Sequence, residues 1–181
     1  VMQCEPLYRC LEAVRDGEPV HTVMMSAQGA TFDQQKAREL LARGRFILIC
    51  GHYEGIDRRF IDRCVDEEIS LGDFVLTGGE IAAMAVADAV CRMVPGVLAE
   101  DVCFTDESHY SGLLEYPQYT RPEEWRGQRV PDILLSGHHA NIEKWRRRQS
   151  LLLTRERRPD LFEKLILSPE DQKLLKEEEP C

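Results

Sequence analysis

The chain has 181 residues, a formal net charge of −9 and a pI near 5.1. That length suits one domain, or one domain with a smaller appendage, and an apolar content of 43% builds a core without disulfides or metals. The acidic balance excludes a histone-like or polybasic binder but not a local basic site. Seven cysteines, an odd number with no CxxC pair, argue against a zinc site and against a secreted disulfide framework. Cys50 and Cys91 sit inside apolar runs and read as core thiols. No signal peptide is expected. The apolar stretch from Ile81 to Cys91, interrupted by Asp88, is too short to span a bilayer. No membrane role and a reducing cytoplasm are expected.

In chain order, Pro6 to Val14 predicts a helix with Pro6 at its first position and Gly17 as its stop. His21–Met25 predicts a short strand followed by a loop, Ser26–Gly29. Asp33 to Arg43 predicts a helix with Ala37, Leu40 and Leu41 on one side and Gly44 at its end. Arg45–Cys50 is a continuous apolar run of the kind a parallel sheet buries on both faces. The turn Gly51–Gly55 follows, then a helix over Ile56–Val65 with Ile56, Phe60, Ile61 and Cys64 on one side. Asp73–Thr77 predicts another strand, and Gly78-Gly79 opens an alanine-rich helix running to about Val94, ended by Pro95-Gly96. Strand, loop and helix in alternation mean an α/β fold with a mostly parallel sheet.

From Leu98 to about Tyr119 the periodicity disappears, which predicts a long loop or linker. The last third is helical. Ala140–Arg158 carries Ile142, Trp145 and Leu152 on one stripe, and Ser168-Pro169-Glu170-Asp171 reads as a helix start. Charge is uneven along this plan: residues 121–158 hold 10 basic and 5 acidic side chains, whereas residues 1–120 hold 10 and 20. Arginines interleaved with Tyr119, Trp125 and Trp145 are a signal for nucleic acid. A solvated helix face or a partner contact would carry the same pattern.

Three glycine-bearing loops follow the first-half strands: Ser26–Gly29, Gly51–Gly55 and Ser70–Gly79. In open parallel sheets ligands bind beyond the carboxyl ends of strands, and glycine lets the backbone approach them closely. Neither GxGxxG nor GxxxxGK[ST] occurs. With few fixed cations in the loops, a neutral or cationic ligand fits better than a polyphosphate. The adjacent acids Asp106 and Glu107, in the aperiodic segment, would reach a substrate only if that segment closes over it.

Longer motifs occur in order: Cys50-Gly-His-Tyr-Glu-Gly-Ile-Asp57, Ser70-Leu-Gly-Asp-Phe-Val-Leu-Thr-Gly-Gly-Glu80, Arg92-Met-Val-Pro-Gly-Val-Leu98, Gly112-Leu-Leu-Glu-Tyr-Pro-Gln-Tyr-Thr-Arg-Pro122 and Leu134-Leu-Ser-Gly-His-His-Ala-Asn-Ile142. They cover nearly the whole chain. The sequence closely resembles the bacterial tRNA (guanine-N1)-methyltransferases of the TrmD family. That resemblance implies an α/β fold whose mostly parallel sheet ends in a trefoil knot of the SPOUT class, followed by a small helical domain. Residues 1–98 would form the knotted methyl-donor domain, 99–111 an interdomain linker and 112–181 the helical tRNA-binding domain.

The resemblance also implies the chemistry: a methyl group passes from S-adenosyl-L-methionine to N1 of guanosine 37 in tRNA, within a cytoplasmic homodimer. The donor would lie against Met24, Ser26, Gln28, Gly51, Tyr53, Glu54, Gly55, Ser70, Leu71, Gly72, Phe74, Leu76, Gly78 and Gly79. The family base, an aspartate, aligns with Glu107, with Asp106 in reserve. Arg92 matches the arginine that can stabilise negative charge on guanine O6, and Ser108, Arg121 and Arg146 would contact substrate. Magnesium (Mg2+) assistance is implied too, although the sequence shows no metal cage. The family often has a proline where Ala82 stands and a tyrosine where Phe74 stands. Its members carry a strand, a helix and a Gly-rich segment ahead of the region matching Val1, so an N-terminal segment is expected to be missing here. The competing readings are a non-catalytic RNA-binding module and an inactive truncated fragment.

Overall fold

A computed structural model describes residues 1–98 and 107–176. The chain divides into two compact units, Val1–Asp101 and Val102–Cys181. In the first unit the elements run α1 (Cys4–Arg15), β1 (His21–Thr31), α2 (Gln34–Arg43), β2 (Phe46–Cys50), α3 (Arg58–Cys64), β3 (Glu67–Ser70) and α4 (Glu80–Cys91). The three strands pair in parallel in the order β2-β1-β3, so the α/β class and the parallel sheet are as expected.

A parallel sheet must be covered on both faces, and the side chains of β1 serve two layers by strand alternation. Met24 joins Leu11, Ile49, Ile56, Phe60 and Cys64 in one core cluster, with α1 packed on α3. Its neighbours Val23 and Met25, both buried, point to the opposite face. There α2 and α4 pack together, with Ala37, Leu40, Val86 and Val90 buried. Asp33 caps α2 by accepting from the Lys36 N–H at 2.8 Å, which fixes the helix start read from the sequence.

Three elements differ from the sequence-based expectation. The first strand does not stop at Met25. It bulges over residues 26–29 and rejoins β3, with Met25 and Ala30 both facing Ile69. The third strand is Glu67–Ser70 and not Asp73–Thr77. Two glutamates in succession hide a strand from any apolar pattern, yet both are only partly exposed, and Glu67 bonds His21 at 2.7 Å and Lys36 at 3.0 Å. The apolar run after it leaves the sheet because Ser70 Oγ accepts from the Gly72 N–H at 3.1 Å while Gly72 adopts φ 150°, a conformation suited to glycine. Finally, Cys91 is exposed. The buried stripe of α4 is Ala82, Val86 and Val90, and Cys91 lies one residue, about 100°, past it.

In the second unit a two-residue turn, Arg126-Gly127, with φ of 52° and 81°, closes a hairpin of β4 (Glu124–Trp125) and β5 (Gln128–Arg129). Both turn residues lie at positive φ, as tight hairpins require. Helices α5 (Asp132–Leu135), α6 (His139–Arg157), α7 (Pro159–Phe162) and α8 (Pro169–Leu174) follow. The buried face of α6 is Ile142, Ser150, Leu151 and Thr154, turned from the expected stripe. Trp145 and Leu152 are half-buried. Thr154 is tolerated inside because its hydroxyl donates to the Ser150 carbonyl at 2.6 Å and accepts from the Leu114 N–H at 2.8 Å.

The predicted start of α8 is a full capping box. Ser168 Oγ accepts from the Asp171 N–H at 3.0 Å, and Asp171 accepts from the Ser168 N–H at 3.1 Å. Arg147 on α6 also grips the Asp171 carboxylate with two bonds, 2.8 and 3.0 Å. That guanidinium, aided by the Ser168 bonds, holds the Asp171 carboxyl at about 2. The folded value lies below the unfolded one, so this stabilisation is present above about pH 4 and disappears as pH falls towards 2. Urea midpoints should place Asp171→Asn roughly 1–2 kcal/mol below the unaltered protein at pH 6, the gap closing near pH 2.

Candidate methyl-donor and nucleic-acid sites

At the carboxyl ends of β1, β2 and β3 the three glycine-bearing loops converge on one cavity of about 410 Å³. Of the residues expected to hold the donor, all line this cavity except Gly72, which instead turns the chain into it. Close approach is built in by glycine. A Cβ on Gly79 would lie 2.9 Å from the Cys50 Cα, and the Gly79 N–H donates to the Gly51 carbonyl at 3.3 Å. A Cβ on Gly29 would overlap the Glu68 carbonyl.

The wall is unusually apolar for open surface. Tyr53 is 89% exposed and Val75 86%, and Phe74 is also exposed. Tyr53 holds φ 59°, a conformation that costs a non-glycine residue free energy and that gathers at functional sites. Exposed apolar side chains around a concavity mark a ligand site rather than packing.

The sequence reading passed over several side chains at this cavity. His52, Arg58, Glu68 and Thr77 line it. His52 Nε2 meets Glu80 Oε1 at 2.5 Å, clasping the second loop to the start of α4. The Glu80 carboxyl is held below its usual range by its own backbone N–H and by His52. The signal available in the sequence was position alone, since His52 and Glu80 stand inside the two motifs. Burial, with Glu80 nearby, pushes the Cys50 thiol up, so Cys50 stays protonated and is no nucleophile. Among the described residues Arg58 is the one guanidinium lining the cavity, and it faces Asp62 at 2.7 Å and Glu68 at 3.7 Å. With Glu54 also on the wall, the charge there suits a cationic ligand.

The other candidate residues lie elsewhere. Arg92 is the C-cap of α4, about 18 Å of helix rise from the cavity end at Glu80, and does not line the cavity. Glu107 belongs to the second unit, where it lines a hollow of about 200 Å³ with Tyr116, Arg146 and Arg147. Ser108 Oγ accepts from the Glu115 N–H at 2.9 Å, so it fastens its own loop. Asp106, with the rest of residues 99–106 of the expected linker, lies outside the described residues.

The basic block proves to be of two kinds. Arg147, Arg129 and Arg158 are tied to Asp171, Glu123 and Asp160, and Arg148 reaches the Leu174 carbonyl. Arg121, Lys144, Arg155 and Arg157 are exposed on the second unit, and Arg126 covers the exposed Trp125 ring at 4.9 Å.

Comparison with known proteins decides the family. A family model described as tRNA (Guanine-1)-methyltransferase TrmD matches residues 1–164. The chain belongs to the TrmD family. It is 52% identical over 179 residues to the tRNA (guanine-N(1)-)-methyltransferase of Clostridium acetobutylicum, covering 99% of this chain and 74% of that relative. It is 54% identical over 176 residues to the Clostridium perfringens enzyme of the same name, covering 97% and 74%. The Desulforamulus reducens enzyme of that name is 54% identical over 180 residues, covering 98% and 71%. No helix among the described residues of this TrmD-family chain is long and apolar enough to cross a membrane. Nor do the described residues group three or more His, Cys, Asp or Glu side chains in a way that could hold a metal ion.

Proposed function

We propose that this TrmD-family protein transfers a methyl group from S-adenosyl-L-methionine to N1 of guanosine 37 in tRNA, in the cytoplasm. The observation that carries the reading is the convergence of three glycine-bearing loops on one apolar, acid-bordered cavity. When bound, the donor supplies a methyl group on a cationic sulfonium. Glu54, on the wall, would face that cation or the donor's amino group, and Tyr53, Phe74 and Leu76 would cover its apolar parts. The glycines would let backbone N–H and C=O groups reach its polar edges.

Guanine N1 carries a proton and is a poor nucleophile until that proton leaves. In this reading Glu107 accepts it, with Asp106 as the reserve. Arg92 stabilises the negative charge that develops on guanine O6. Much of the rate would come from holding N1, the methyl carbon and the sulfur in line.

Two finer features belong to the same proposal. A trefoil knot is supported by the way Gly78-Gly79 passes directly against Cys50-Gly51 before α4 packs on α2. A homodimer is supported by the outer face of α4, where Ile81 is exposed and Met84 is 70% exposed, with Ala85 and Cys91 on the same side.

The test is transfer of labelled methyl to a tRNA with guanosine at position 37 and another G on its 5′ side. Product mapped to N1 of that guanosine is expected. A folded protein that binds such a tRNA but neither binds the donor nor methylates would overturn the proposal in favour of a non-catalytic RNA-binding module.

A further inference from the structure

The second unit contains a concavity that the methyl-transfer chemistry does not use. It measures about 490 Å³, and its wall includes Tyr116, Tyr119, Arg121, Leu134, Trp145 and Arg146. Tyr119 and Trp145 form a tilted wedge, with ring centroids 6.3 Å apart and planes at 55°. A wedge at that angle leaves ring face free, where a stacked pair would have closed it. The Arg146 guanidinium lies 4.9 Å over the Tyr116 ring. Its Nε is buried and has no hydrogen-bond acceptor, although its terminal nitrogen reaches Glu143 at 2.8 Å. Arg121, at the rim, is exposed.

Flat aromatic faces and a rim cation together match one chemistry: a planar heteroaromatic ring attached to a phosphate. We infer that this wedge takes an unpaired nucleobase of the tRNA substrate, a second base site apart from the one that presents the methylated guanine. The inference rests on the functional reading above. The base stacks on Tyr119 and Trp145, and Arg121 meets the flanking phosphate. Stacking tolerates any base, so the site adds affinity and register more than sequence choice.

Binding of unmodified tRNA, read by filter retention, tests this directly. Tyr119→Ala is expected to weaken binding about tenfold, and Tyr119→Phe, which keeps the ring, to bind like the unaltered protein. Donor affinity should be unchanged in both. The chain has two tryptophans, so Trp125→Phe leaves Trp145 as its only indole. Its fluorescence should be quenched as tRNA is added, and the Tyr119→Ala change should reduce that quenching. Normal tRNA affinity in Tyr119→Ala with no quenching of Trp145 overturns the base site while leaving methyl transfer intact, and would assign the wedge to a partner other than RNA. Failure of the unaltered protein to bind tRNA at all overturns both this inference and the functional reading.

Discussion

Glu107→Gln should lower the single-turnover rate of methyl transfer by about 10²–10⁴-fold, the range that a positioned general base contributes. Donor affinity should stay within about twofold, because Glu107 belongs to the second unit and is not among the residues of the donor cavity. The glutamine keeps the shape of the side chain and removes only its capacity to take the N1 proton, so a loss confined to the chemical step identifies a base. Rapid-quench measurement with enzyme in excess separates that step from tRNA release. A rate unchanged in Glu107→Gln but lost in Asp106→Asn would move the role to the neighbouring carboxylate. Loss of both rate and tRNA affinity would instead make Glu107 a binding residue.

The second large effect is steric. Gly29 has an ordinary backbone conformation, so nothing in its φ demands glycine. What demands it is the Glu68 carbonyl and the Ile69 N–H, backbone atoms that a Cβ would overlap. Backbone in a paired strand cannot step aside as a flexible side chain can. Gly29→Ala should therefore cost about 3 kcal/mol, at the upper end for overpacking, and lower the melting temperature by roughly 6–12 °C for a chain of this size. Donor affinity should fall with it, because Ser26 and Gln28 ride on the same bulge. Gly51→Ala is the control, since its Cβ would sit 3.6 Å from Ile56 in ordinary contact. Calorimetry of the two variants side by side checks the argument. Equal melting temperatures would show that the bulge relaxes.

The loop residues that line the cavity of the first unit were legible because motif and glycine position are local properties of a sequence. Of those that were missed, His52 and Thr77 stand within the same motifs, as does Glu80, the partner of His52. What the sequence lacked was the fact that two of these stretches lie side by side, so that His52 meets a carboxylate 28 positions later. The arginine block shows the same limit. As a string it is one basic region. In space Arg147 is spent on Asp171, whose carboxylate is nearly buried, while Arg121 stays at a cavity rim.

Local physical chemistry alone determined the alternation of strand and helix, the caps at Asp33 and Ser168, and the apolar stripe of α3. A hydrophobic period and a capping oxygen act within one or two turns of chain, and a sequence displays them in full. The tertiary structure decided what depends on a distant partner. It set the return of β1 to β3 after its bulge, the strand at Glu67–Ser70 beneath His21 and Lys36, the exposure of Cys91, and the release of Phe74-Val75-Leu76 from the sheet. Pairing register and burial are set by whichever segment arrives opposite. For that reason the glycine loops could be named from the sequence, while the single cavity they enclose emerged only when the three strands were laid in order.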